Sequence, residues 1–297
     1  TISQFLENNG QDIRTLYQSN NCWTSLKRAA GRIAYKDDVI TKRLEKGMAN
    51  LLHHNTASFL HFIELFIDGS KQYLDTKNYK YALMLYYALF QDRLDKTGFA
   101  SIYEALELIH KEMYSYFRQE ISEIISYLLA HLQLKTMPLG EDVLPGLELY
   151  GCYTREEIFT LAGRQTEARK MQGSVTGVFN LSEHNATLLF VTLNKSDKDF
   201  SPSTQYNDYL INEHYFHWQS QNTDSHQNNG GQRYTKQADT QNKIILFVRE
   251  EKKDGYGNTC PFHCFGLVEY MSSHDDFPMN ITWKLQQPAM AQYVKAI

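Results

Sequence analysis

The residues best suited to chemistry lie in one stretch, YNDYLINEHYFHWQSQN, from Tyr206 to Asn222. Tyr206, Tyr209, Phe216 and Trp218 offer flat rings, and Asp208, Gln219, Ser220 and Gln221 place acceptors and donors among them. Rings beside short polar groups suit a flat ligand that is stacked on its faces and read along its rim. An extruded nucleobase has that form: its faces need stacking and its Watson–Crick edge needs hydrogen bonds. Tyr206 and Trp218 are placed to supply the two faces, and Asp208 to accept from a cytosine amine. Lys195, Lys198, Arg233, Lys236 and Lys243 flank the stretch and could contact phosphates, although Lys and Arg are ordinarily exposed in any case.

Catalysis has thinner support. His217 and Asp208 form a nominal acid/base pair, but strand alternation turns His217 away from Phe216 and Trp218. No Ser or Cys elbow and no phosphate loop is present. Cys260 and Cys264 bracket Pro261-Phe262-His263, yet a four-ligand zinc site needs a second pair that the sequence does not show. His53-His54 and His61 lack an accompanying carboxylate pattern. The expectation is therefore no catalytic residue, no metal ligand and free cysteines.

The elements that must position these residues fall into two kinds. Before Pro138 there is no proline, and apolar residues recur at helical spacing, as in Phe59, Phe62, Ile63, Phe66 and Ile67. Six or seven helices are expected there, bundled irregularly. Pro138, Gly140, Pro145 and Gly146 then break the pattern, and Thr154 to Glu157 reads as a capping box opening a short helix. Beyond residue 165 the period changes to two. Strands are predicted over Val175–Phe179, Thr187–Leu193, Tyr215–Gln219, Ile244–Arg249, Cys264–Tyr270 and Asn280–Leu285. The polar, Gly-containing stretch ending in GGQRY at Gly230–Tyr234 reads as a loop, and Trp283 as core. The fold class is α+β: an all-helical domain, residues 1–145, followed by a compact, strongly bent sheet or barrel, residues 146–297.

Composition bounds the rest. The chain has 297 residues, 42% hydrophobic and 22% charged, with an ordinary globular balance. Aromatic content is 13%, chiefly 20 Tyr and 16 Phe, which suggests amphipathic contact surfaces. A net charge of −4 gives no global basic footprint, so nucleic-acid binding would need a local patch. Four scattered cysteines make no disulfide framework. No apolar run reaches the roughly 18 residues of a membrane span, and no secretory leader is visible. The chain opens with Thr within helical sequence and is read as a fragment of a longer cytoplasmic protein.

Several ordered motifs carry a resemblance: YTREEIF (Tyr153–Phe159), FVTLNKSDKDFSPSTQYNDYLI (Phe190–Ile211), FHWQSQN (Phe216–Asn222), GQRY (Gly231–Tyr234), LFVRE (Leu246–Glu250) and PMNITWKL (Pro278–Leu285). Together, over roughly residues 150 to 290, they resemble a bacterial C-terminal domain that follows a phospholipase-D-like nuclease and a superfamily-two helicase. That arrangement is known from SauUSI-type modification-dependent (type IV) restriction enzymes, whose C-terminal domain is similar to SRA domains and follows a helical coupler. The resemblance implies that residues 1–145 are the coupler. It implies that residues 146–297 recognise 5-methylcytosine, or 5-hydroxymethylcytosine, in double-stranded DNA by flipping the base. It also implies a bacterial cytoplasmic setting, no enzymatic activity or cofactor in this segment, ATP and Mg in the parent enzyme, and no membrane partner. Partners would be the modified DNA and the upstream helicase and nuclease domains.

A pattern-level likeness to eukaryotic SRA domains implies that Tyr206 and Trp218, twelve positions apart, sandwich the base, with Asp208 on its polar edge and Gln219 and Ser220 beside it. The chain departs from that pattern at Tyr209, where those domains carry Asp. Either Asp208 takes over that role or the edge is read differently. The rival expectation is an interaction module: aromatic enrichment also marks protein interfaces, and the aromatic edge could dock a protein partner or the parent's helicase without reading a base.

Overall fold

The computed structural model describes residues 1–69, 76–171, 176–195 and 207–294. It divides the chain into two compact units: Thr1–Thr136 with Glu156–Gln172, and Met137–Arg155 with Gly173–Ile297. The break after residue 136 falls nine residues before the expected 145/146 boundary. The segment after Arg155, expected in the second domain, packs with the helices. Its sequence explains this: Glu157 to Leu161 is buried without interruption, so the short helix needs cover on every side.

The helical unit contains α1 (Ile2–Asn9), α2 (Trp23–Ala29), α3 (Val39–Gly47), α4 (Ala57–Ile67), α5 (Thr76–Phe90), α6 (Leu94–Thr97), α7 (Ile102–Glu107) and α8 (Ser115–Ala130). The starts of α1 and α3 are written locally, by capping boxes of Thr1 with Gln4 and Asp38 with Thr41. The start of α2 has a capping box of Cys22 with Ser25 and also distant support: the buried carboxylate of Glu120, on α8, accepts from the Trp23 and Thr24 N–H groups at 2.8 and 2.7 Å. It thereby satisfies amides that the helix itself leaves open. Residues Tyr81 to Phe90 of α5 are all buried, which makes α5 the axis of the unit. Gly47 permits α3 to lie against it, because a Cβ there would stand 2.6 Å from the Leu89 Cα. After α9 (Arg155–Leu161), the return segment is tied in by main-chain and side-chain bonds. Leu94 N–H donates to Glu167 O at 3.1 Å and the Tyr87 hydroxyl to Thr166 O at 2.7 Å.

In the second unit β1 (Met137–Pro138) and β2 (Glu148–Leu149) pair with each other. The main sheet is built from β3 (Cys152–Tyr153), β4 (Val178–Leu181), β5 (Ala186–Thr192), β6 (Tyr209–Asn212), β7 (Tyr215–Gln219), β8 (Lys243–Arg249), β9 (Phe262–His274) and β10 (Asn280–Leu285). Its order is β4-β5-β8-β9-β10-β7-β6, with β3 also on β9. The expected α+β class is observed. The sheet stays open among the described residues, so the barrel alternative does not hold. Pairing is antiparallel except between β5 and β8. Those two strands are almost wholly buried, as their unbroken apolar runs require of a parallel pair covered on both faces. The strands at β7 and β10 have the expected bounds. The GGQRY stretch, expected as loop, is helix α10 (Asn229–Thr235), capped by the Asn228 side chain. A short α11 (Gln237–Thr240) and α12 (Ala291–Val294) complete the unit. No helix among the described residues is long and apolar enough to cross a membrane.

Candidate recognition surface on the β6–β7 hairpin

The hairpin of β6 and β7 turns its side chains alternately in and out. Phe216 and Trp218 point inward, and Trp218 keeps only 4% of its surface exposed. Its ring lies 5.2 Å from Tyr234, edge to face, and 6.2 Å from Trp283, within a core that also holds Leu189, Ile244 and Ile281. Trp283 is core, as expected. Trp218 therefore does not stand free as one half of an open sandwich, and its expected partner Tyr206 lies outside the described residues.

The outward face is formed by the intervening residues. Tyr209 is 44% exposed and stacks on His217, their ring centroids 4.6 Å apart and their planes 12° from parallel. They are cross-strand partners in the ladder, and His217 is in turn opposite Thr282 on β10. The ring of His217 is fixed by its Nδ1–H, which donates to the Asn207 carbonyl at 2.9 Å. One step along the strand, the Gln219 amide is held twice: its oxygen accepts from Asn207 N–H at 2.7 Å and its nitrogen donates to Asn280 Oδ1 at 3.0 Å. The result is a rigid aromatic shelf with two fixed amides beside it.

Asp208 sits behind this shelf. Its Oδ2 receives the Lys195 ammonium at 2.6 Å and its Oδ1 the Gln219 N–H at 2.9 Å. Both side chains are buried, with 8% of Lys195 and 4% of Asp208 exposed. Burial raises the Asp208 carboxyl above its ordinary value, against the opposing pull of Lys195. Asp208 and His217 are thus bonded to other groups, so the nominal acid/base pair is not assembled. Lys195, expected against phosphate, is a buried counter-ion instead. Ser220 is also structural: it is fully buried, and its hydroxyl accepts from Met279 N–H at 3.0 Å. Arg233 is half-buried on α10 and Lys236 is exposed just after it, and Lys198 lies outside the described residues.

A second feature has no local sequence signal. The turn between β9 and β10 is latched to the loop after β7. Asp276 Oδ1 accepts from both the backbone N–H and Nδ1 of His226, at 2.7 and 2.8 Å. His226 Nε2 meets Ser273 Oγ at 2.7 Å, and Ser273 is also bonded to the Tyr270 hydroxyl. These hydrogen bonds hold Asp276 ionised, its carboxyl below the ordinary value. Phe277, 60% exposed, stands in the turn so fixed, its N–H donating to Asp224 O at 3.0 Å. The cysteines are not joined in disulfides, and burial pushes the Cys264 thiol up to about 12, which leaves it unreactive.

Comparison with known proteins adds one match. No curated protein matches the chain. A family model described as a domain of unknown function, DUF3427, matches residues 147–296, half of the chain, and so covers the sheet, the shelf and the latched turn. The chain belongs to the DUF3427 family.

Proposed function

We propose that the sheet unit recognises modified cytosine in double-stranded DNA, as the target-reading part of a SauUSI-type, ATP-dependent modification-dependent restriction enzyme. The helical unit would be its coupler. The observation that carries this reading is the exposed, stacked Tyr209–His217 pair with the fixed Gln219 and Asn280 amides one register step away. A base stacked on the Tyr209 ring has donors and acceptors within reach of its edge. Phe277, in the adjoining turn, supports the reading: apolar side chains inserted into a base step hold open the gap an extruded base leaves. The motif resemblance over residues 150 to 290 supplies the modified-cytosine specificity. In this reading the shelf replaces the Tyr206–Trp218 sandwich, and Trp218 and Ser220 form the wall behind it.

Base–aromatic stacking contributes about 1–3 kcal/mol per base. Tyr209→Ala is therefore expected to weaken binding of a 5-methylcytosine duplex by roughly fivefold or more while the fold stays intact. Fluorescence anisotropy at fixed salt measures this, with circular dichroism as the fold control. Unchanged affinity in a folded Tyr209→Ala variant would remove the shelf from the account.

The rival docking reading has one observation in its favour. Tyr209 and Ile211 are both exposed on β6, which ends the sheet order. An edge strand of this kind can accept a partner strand. It predicts that the same variant loses a protein partner and leaves DNA affinity alone.

A further inference from the structure

The helical unit contains a cluster that the DNA reading does not use. His53 and His54 lie between the turn of 3₁₀ helix at Met48–Leu51 and the start of α4. Glu157 reaches them from the first turn of α9, more than a hundred residues along the chain. Its two oxygens face the two rings separately: Oε2 is 2.9 Å from His53 Nε2, and Oε1 is 3.3 Å from His54 Nε2. The three residues each offer one donor atom, and these atoms lie within 4.8 Å of one another.

A histidine–carboxylate ion pair explains only part of this. His53 makes a hydrogen bond to Glu157. His54 does not: it is 2% exposed, and among the described residues neither of its ring nitrogens has a hydrogen-bond partner. A buried imidazole whose Nδ1 is unmet and whose Nε2 has only this long contact with Glu157 is costly, since buried polar groups are nearly always paired. Nε2 stands 3.3 Å from Oε1. Two donors on a common ion show that kind of separation. With bonds of about 2.0–2.2 Å, the donors of a tetrahedral ion stand roughly 3.3–3.6 Å apart. The three donor atoms lie within 4.8 Å of one another, so the side chains would have to draw in around the ion. The ring of His54 is held edge to face by Phe59, at 4.5 Å, so its direction is set by packing.

We propose that His53, His54 and Glu157 form a binding site for a divalent ion of the zinc class, which pins α9 to the turn before α4. Two imidazole nitrogens and one carboxylate oxygen suit zinc and its first-row neighbours, whereas calcium and magnesium take oxygen donors. Three protein ligands leave a fourth position for water, on the side where His53 is partly exposed. The role is structural. The ion closes a chain loop of about a hundred residues, and such binding contributes directly to folding.

The test uses the full chain, stripped with a chelator and titrated with zinc chloride by calorimetry. The expected result is one equivalent bound. Affinity should fall by at least about tenfold in Glu157→Gln and in His53→Gln, the loss seen when metal sites lose even supporting groups. His53 is the most exposed of the three, so His53→Gln is the variant expected to keep the fold, as checked by circular dichroism. Cobalt chloride should give the visible bands of a nitrogen–oxygen site without the intense near-ultraviolet absorption of thiolate ligands. Magnesium chloride should give no heat of binding. Absence of saturable zinc uptake, or zinc and cobalt binding that is unchanged in folded His53→Gln or carries the thiolate signature, would overturn the proposal.

Discussion

Trp218→Ala is expected to destabilise the sheet unit by about 3–5 kcal/mol, the usual loss when a buried Phe or Trp is cut to Ala. The indole is packed between Tyr234 and Trp283, so truncation leaves a cavity where three rings met. Denaturant unfolding followed by fluorescence measures it, and Trp218→Phe, which fills most of the space, should recover much of the loss. DNA binding should track folding across the two variants. A folded Trp218→Ala protein that has lost modified-DNA affinity would instead mean that the indole stacks on the base.

Lys195→Met is the second large effect. It leaves the Asp208 carboxylate buried without its counter-ion, a change that commonly costs about 3–5 kcal/mol. The companion Asp208→Asn should restore much of that stability, because the amide is neutral and its oxygen can still accept the Gln219 N–H. The pH dependence has a definite sign. Burial raises the Asp208 carboxyl in the folded protein, and removal of Lys195 takes away the opposing pull. Between the unfolded carboxylate value and that raised value the folded variant binds more protons than the unfolded chain. Its stability therefore falls as pH rises through that window and levels off above it. Denaturation curves of Lys195→Met from acidic to neutral pH check this. A stability that rises across the same range would contradict the buried-pair account.

Both effects bear on how much the sequence discloses. Alternation along Tyr215–Gln219 separates Phe216 and Trp218 from His217, and the structure keeps that separation. Which face goes inward is not written there, because both faces carry rings. The choice is made by Trp283 and Tyr234, which arrive from β10 and α10. Helix α10 was hidden by Gly230 and Gly231, poor helix formers that read as loop. They are needed for close approach: a Cβ on Gly230 would stand 2.2 Å from Asp224 Oδ1, and one on Gly231 2.0 Å from Ser225 O. The helical spacing of the first half and the bounds of β7 and β10 are local properties, and they were legible. Lys195 and Asp208 share one motif, thirteen residues apart, but nothing in it marks them as a buried pair. The His226–Asp276 latch and the cluster of His53, His54 and Glu157 join residues distant along the chain. No periodicity or motif links their members, so only the fold brings them into view.

We propose that the sheet unit distinguishes modified from unmodified cytosine. The most direct measurement is the affinity of the full chain for two duplexes that differ only by one 5-methyl group, at a fixed salt near physiological. Salt must be held constant because phosphate contacts make the affinity depend on it. Burial of one methyl contributes about 1 kcal/mol, so a preference of at least about fivefold for the methylated duplex is expected. Tyr209→Ala should weaken binding of that duplex while circular dichroism shows the fold retained. Equal affinity for both duplexes, or no binding by the folded protein, would contradict the account and leave the exposed edge of β6 as a surface for a protein partner.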